Sequence, residues 1–265
     1  MPAMQIQTYQ GTAIGATLAA LTALSGDSLA VPNFTIGKMA WLIQLWTDVQ
    51  VAGTLRVRSP RFHDNVNGIR IDTIIADIKP LLPWHVAQPL FPNDNLIVEL
   101  AASAVAGDVE YVILLEYFED LPGISARLIS PQQLKGRVEQ LLTVENTIAT
   151  GATAAYGGAE AINAEVDQFQ QGVDYAILGY HVDTQASAIG YRAPDFGNLR
   201  VGGPGDLTDP DLYSNWFVKL SRDYELPMIP VFNGSNKASV LIDAVQDENG
   251  ADTTVTTYLA RLRAA

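Results

Sequence analysis

Residues Trp41–Ile69, WLIQLWTDVQVAGTLRVRSPRFHDNVNGI, have an echo 134 positions downstream in Tyr175–Gly203, YAILGYHVDTQASAIGYRAPDFGNLRVGG. Arg58, Pro60, Phe62 and Gly68 fall on Arg192, Pro194, Phe196 and Gly202. Ile43 and Ala52 fall on Ile177 and Ala186, and the aromatics Trp41 and Trp46 on Tyr175 and Tyr180. Outward from this block, PLFPNDN at Pro89–Asn95 resembles PVFNGSN at Pro230–Asn236, a shift of 141 that carries Leu100, Tyr117 and Leu121 onto Leu241, Tyr258 and Leu262. A weaker echo links Gly15-Ala16-Thr17 with Gly151-Ala152-Thr153. Three collinear blocks at similar shifts indicate an internal duplication, with copies at about Gln7–Leu121 and Thr143–Leu262. The expected organisation is a first β domain over 1–121, a linker over 122–142 and a second β domain over 143–265. The second copy is longer around Pro204–Asn215.

The repeated blocks carry strand patterning. Val49, Val51, Leu55 and Val57 alternate with Gln50, Thr54, Arg56 and Arg58, the period of a half-buried strand. Met39–Trp46 is nearly continuous in apolar residues, as in a strand covered on both faces, and Tyr111–Phe118 is a second such run. Leu96–Leu100, Tyr175–Val182, Ser239–Val245 and Thr253–Leu259 complete the set, rich in Val, Ile, Thr and Tyr. Asn67-Gly68, Asn233-Gly234, Asn249-Gly250 and Pro60, Pro89, Pro194 and Pro230 punctuate them as turns. In each copy the Arg-x-Pro-x-Phe segment closes a strand, because proline cannot donate a ladder hydrogen bond, and its arginine reads as a local anchor, with an interface residue as the alternative. The linker predicts one helix: Ser130 as cap, Pro131 in the first turn, Gln133 at the capping-box position, then Leu134, Val138 and Leu141 on one face. The Ala-rich stretches Ala13–Leu24 and Ala152–Ala161 leave helix and flat packed segment equally open. The fold class expected is all-β: two tandem jelly-roll or β-sandwich domains with a short linker helix.

The chain has 265 residues, enough for two domains with their own cores. Sixteen Lys and Arg against 29 Asp and Glu give a net charge of −13, which argues against direct nucleic-acid binding. Cysteine is absent, excluding disulfides and thiolate metal sites. Neither a signal peptide nor a transmembrane span is expected.

Chemistry-bearing residues are sparse. His63, His85 and His181 lack metal-ligand spacing with one another, so no metal or other cofactor is expected. The run Gly202-Gly203-Pro204-Gly205 lacks the Lys-Ser/Thr pair of a phosphate loop and reads as an ordinary loop. Asp206, Asp209 and Asp211 are weak candidate calcium ligands, set against a solvated acidic loop. Glu116, Glu119 and Asp120 are the carboxylates a glycosidase would need, but at the shift of 141 their counterparts are Thr257, Ala260 and Arg261. Asn33-Phe-Thr35 and Asn233-Gly-Ser235 match glycosylation acceptors. Trp41, Trp46, Trp84 and Trp216 suit a core or an interface better than a sugar platform. On a regular strand Trp41 and Trp46 would face opposite sides.

Two fused β domains of this size, joined by a linker and without a catalytic motif, resemble the double jelly-roll major capsid proteins of icosahedral DNA viruses, with the membrane-containing bacteriophages nearest in length. The resemblance spans nearly the whole chain and is architectural. It implies a non-enzymatic virion protein, assembled in the host cytoplasm, whose homotrimers present six similar domains as a pseudo-hexagonal tile. The partners implied are the chain itself, neighbouring capsid trimers and other virion proteins. The insert Pro204–Asn215 would then form a tower loop or an inter-capsomer contact. The alternatives are a tandem β-sandwich carbohydrate-binding protein, a metal-holding double barrel, and a phage spike or cement protein.

Overall fold

The computed structural model describes residues 1–24, 26–62, 66–73, 78–149, 155–246 and 252–264. His63, Gly151-Ala152-Thr153 and Asn249-Gly250 lie outside the described residues. The chain opens with β1 (Ala3–Thr12), β2 (Ala19–Ala20), β3 (Thr22–Ala23), β4 (Ala40–Asp48), β5 (Thr54–Arg58), β6 (Ile69–Asp72), β7 (Gln88–Pro89), β8 (Ile97–Ala101) and β9 (Val109–Phe118). These form two antiparallel sheets, β3-β1-β9-β4-β7 and β2-β8-β5-β6. A connection with β10 (Leu128–Ile129) and α1 (Pro131–Lys135) leads to β11 (Val138–Ile148), β12 (Glu160–Ala161), β13 (Asp174–Val182), β14 (Ala186–Arg192) and β15 (Arg200–Gly205). Two short helices follow, α2 (Pro210–Tyr213) and α3 (Trp216–Asp223), then β16 (Ile229–Asn233), a 3-10 turn (Gly234–Ser239), β17 (Leu241–Gln246) and β18 (Thr253–Leu262). The second half's sheets are β10-β16-β13-β18-β11 and β12-β17-β14-β15.

With the two-residue strands β3 and β10 set aside, each half is an eight-stranded sandwich. Counted within each half, one sheet runs first-eighth-third-sixth and the other second-seventh-fourth-fifth. The fold is all-β and jelly-roll-like, and every strand pair is antiparallel. Closing such a sandwich brings the first and last strands of a half together at full length, as β1 and β9 pair from Ala3↔Phe118 to Thr12↔Val109.

Strand pairing corrects the register of the repeat. Both third strands carry a bulge, between Leu42 and Gln44 in β4 and between Ile177 and Gly179 in β13. Leu45 pairs with Leu114 as Tyr180 pairs with Thr257. The third strands therefore match at a shift of 135 and the eighth strands at 143. Tyr180 thus corresponds to Leu45 and not to Trp46, and Tyr117 to Ala260 and not to Tyr258. The shift of 134 holds for β5 and β14, which end at Arg58 and Arg192. In the next strands Val57 pairs with Ile69 and Tyr191 with Val201, so Gly68 corresponds to Arg200 and not to Gly202. A single-residue slip sends every side chain to the opposite face, so burial arbitrates: Leu45 and Tyr180 both point into their own sandwiches.

Other expectations need amendment. The strand anticipated over 49–58 begins only at Thr54, and Val51 is exposed in the preceding turn. Gly202–Gly205 is not loop but part of β15. The linker helix has the capping box: the Ser130 hydroxyl accepts from Gln133 N–H, and the Gln133 side chain accepts from Ser130 N–H. It ends after five residues, because Val138 and Leu141 belong to β11 and not to the helix face expected for them. Among the described residues no helix is long and apolar enough to cross a membrane.

Candidate functional site

The β1-β9-β4 sheet is buried on both faces. Tyr9, Leu42, Leu45, Val112, Leu114 and Phe118 point into the first sandwich. Met4, Ile6, Ile43, Trp46, Ile113 and Leu115 point the other way and join the core of the second half. The bulge in β4 breaks the alternation, so Trp41, Ile43 and Trp46 all face this seam. The expectation that the two tryptophans would face opposite sides fails for that reason.

Across the seam, three of the four tryptophans meet. Trp46 and Trp216 rings stand edge to face with centroids 6.4 Å apart, and Trp84 meets Trp216 at 6.1 Å. Trp46 Nε1 donates to the Ser187 carbonyl at 2.9 Å, and Ser187 Oγ donates to Asp48 at 2.6 Å. Tyr213 Oη donates to the Ile78 carbonyl and Tyr224 Oη to that of Ile43, both at 3.0 Å. Indole and phenol groups thus bury large apolar area while their polar tips find backbone partners. The insert Pro204–Asn215 supplies part of this contact. Leu207–Asp211 is exposed, while Tyr213 is buried at the seam beside Trp216, so the end of the insert braces the two halves against each other.

A polar clamp closes one edge of the seam. Asp27 accepts from Thr8 N–H at 2.8 Å, from Tyr156 Oη at 2.9 Å and from Arg200 Nη1 at 3.2 Å. The Arg200 guanidinium lies over the Tyr156 ring. Burial pushes the Asp27 carboxyl up from its ordinary range, against the Thr8 and Arg200 contacts that favour its charge.

The arginines of the Arg-x-Pro-x-Phe segments hold carboxylates on the seventh strand of each half. Arg58 Nε and Nη2 fork onto Glu99 at 2.9 and 3.1 Å, and Arg56 adds a contact at 2.6 Å. The Arg58 hydrogen bonds hold Glu99 down at about 2, against burial. Arg192 Nε meets Asp243 at 2.9 Å, and Arg200 Nε meets it at 3.0 Å. Gly190 stands where the first half has Arg56, and a Cβ there would collide with Arg200 and Asp243. Phe62 and Phe196 are buried, Pro60 and Pro194 flank them, and Gly68 takes a positive φ of 57° while Gly202 lies in extended strand.

The remaining candidates do not converge. Asp206 accepts from Thr208 N–H and Oγ1, and Asp209 caps α2 by accepting from Leu212 N–H. Among the described residues no group of three His, Asp or Glu could hold a metal ion. Glu116 is buried in β9 with Gln5 Nε2 at 2.8 Å, Glu119 accepts from Met39 N–H, and Asp120 takes Thr35 and the N-terminal amine. In the corrected register the counterparts of these carboxylates are Leu259, Leu262 and Arg263. His85 Nδ1 lies 2.7 Å from the Asp223 carbonyl oxygen. Asn233 caps the 3-10 turn through Ser235 N–H.

No protein-family model matches the chain, and no curated protein matches it. Among solved structures, the exported protein XepA of PBSX is similar at 10% identity, covering 98% of this chain and 86% of that one, with a TM-score of 0.28. The major capsid protein of bacteriophage PM2 is similar at 8% identity, covering 100% and 98%, with a TM-score of 0.22. The assignment of a jelly-roll-like fold rests on strand order and register.

Proposed function

We propose that the chain is a structural protein of a phage particle, a major capsid protein whose homotrimers tile a shell, with no reaction of its own. The observation that supports this reading is the pair of sandwiches with matching strand order, fixed to each other through a buried seam. A chain built this way is a rigid block of two similar units, and three copies supply the six similar sides a hexagonal lattice needs. Its partners are other copies of the same chain, neighbouring trimers and other virion proteins, and its place is the virion.

The carbohydrate-binding alternative loses its platform, since Trp46 and Trp216 are fully buried and Trp84 packs at the seam. Size-exclusion chromatography with light scattering tests the proposal. Chains of 28.6 kDa should elute as a species of about 86 kDa, with six-sided particles or shells in electron micrographs. A stable monomer at micromolar concentration, with no assembly in any salt, overturns it.

A further inference from the structure

An open cleft of about 610 Å³ lies where the linker runs into β11 and β18 finishes, a volume in the range of small-molecule sites. Arg137, Glu139, Val173, Asp174, Leu262 and Arg263 line it. The chain has only 16 Lys and Arg and a net charge of −13, yet Arg127, Lys135, Arg137, Arg261 and Arg263 fall in two short segments that meet here. The pairing of Val138 with Leu262 sets those segments side by side. One further rung, from Arg263 N–H to the Arg137 carbonyl at 2.8 Å, places Arg137 and Arg263 opposite each other. Like charges directly opposite across an antiparallel pair repel.

The local carboxylates do not use up this charge. Arg127 holds Asp174 at 2.5 Å and lies 3.6 Å from Asp195. Asn233 Nδ2 donates to Asp174 at 3.0 Å, and Arg261 lies 3.1 Å from Glu139. Arg137 is steadied by its Nε, which donates to the Arg263 carbonyl at 3.2 Å, with its Nη2 3.5 Å from Asp174. The exposed Arg263 side chain has no hydrogen bond or ion pair among the described residues. The sandwich does not require this set. In the corrected register Asp120 of the first half stands where Arg263 does, and Met39 where Asp174 does. Asp120 is satisfied there by Thr35 and the N-terminal amine. The same corner thus carries a paired carboxylate in one copy and an unpaired guanidinium beside a second guanidinium in the other.

We propose that this cleft binds a small phosphate-bearing molecule, its phosphate held between the Arg137 and Arg263 guanidiniums and its organic part against Val173 and Leu262. A guanidinium presents a planar fork of donors that matches pairs of phosphate oxygens, and an anion between the two arginines relieves their repulsion. Asp174 positions Arg137 for this contact. Glu139 and Asp174 also set a limit: one phosphate fits between the arginines, whereas a string of phosphates would meet carboxylates. Two sources carry such a group, a soluble phosphomonoester and a phospholipid headgroup. The site goes beyond the shell-building reading and does not depend on it.

The test titrates the full chain with glycerol 3-phosphate by calorimetry, and saturable binding is expected. Arg263→Gln should weaken it at least about tenfold, as for a lost charge-assisted hydrogen bond, with circular dichroism unchanged. Arg70→Gln, the same charge change at an exposed position of β6, should leave it unaltered. In the unmodified chain, glycerol 3-phosphate should slow phenylglyoxal modification of Arg263 and not of Arg70, read by peptide mass. Sedimentation with vesicles containing phosphatidylglycerol separates the two sources. Binding to vesicles alone, lost in Arg263→Gln, assigns the site to a headgroup; binding to glycerol 3-phosphate alone assigns it to a soluble ligand; binding in both arms supports the shared chemistry. No saturable binding in either arm, no protection of Arg263 by a ligand that binds, or the same affinity in Arg263→Gln as in Arg70→Gln overturns the proposal.

Discussion

Replacing Glu116 by Gln should flatten the pH dependence of stability between pH 5 and 8. Glu116 sits in β9 at 2% exposure, where the Gln5 amide donates to its carboxylate. Burial raises its carboxyl from 4.5 to about 7; the Gln5 hydrogen bond opposes the rise and the Asp27 charge adds to it. Tyr9 also faces this group, and its hydroxyl is pushed up by burial first and by the Glu116 charge second. The folded state therefore keeps a proton that the unfolded chain has lost. The resulting stabilisation is fully present below pH 4.5 and is lost as pH rises through about 7. Two to three pH units at 1.36 kcal/mol each give about 3 kcal/mol for the whole change. Urea unfolding at half-unit steps from pH 5 to 8.5, at one protein concentration, measures it. Glu116→Gln stays neutral throughout and keeps an acceptor for Gln5, so its curve should be flatter and should lie above wild type at pH 8. Parallel curves for the two proteins would refute the reasoning and place Glu116 in contact with water.

Asp243→Asn should destabilise by about 3–5 kcal/mol, because Arg192 and Arg200 would lose the buried carboxylate that both hold, and denaturant midpoints check this. Trp216→Ala should cost about 3–5 kcal/mol and expose Trp46 and Trp84, seen as a red shift of tryptophan emission before global unfolding. Ser130→Ala removes one reciprocal cap from α1 and should cost only about 1 kcal/mol in thermal unfolding. Gly203→Ala should be far worse than a typical strand substitution, since its Cβ would meet the Trp216 indole and the Tyr180 hydroxyl; failure to accumulate soluble protein is the expected readout.

The β class and the capped linker helix were legible in the sequence because both are written in local order. Short runs rich in Val, Ile and Thr fit a pleated surface, and Ser130, Pro131 and Gln133 satisfy helix-end donors within four residues. Arg58 and Arg192 recur in the sequence at strand ends, and each grips a carboxylate there. Their partners Glu99 and Asp243 went unseen, because the shift of 141 set Leu100 against Leu241 and hid a correspondence that lies at 144. Only tertiary structure decided the rest. A bulge moves every later side chain to the other face without altering composition, so β4 turns both Trp41 and Trp46 to the seam, against the simple alternation of a strand. Continuous apolar runs announced that β4 and β9 are covered on both faces, but what covers them comes from Trp216, Tyr213 and Tyr224, more than 90 residues away in the chain. Burial is a property of what the folded chain brings together, and no local pattern of residues records it.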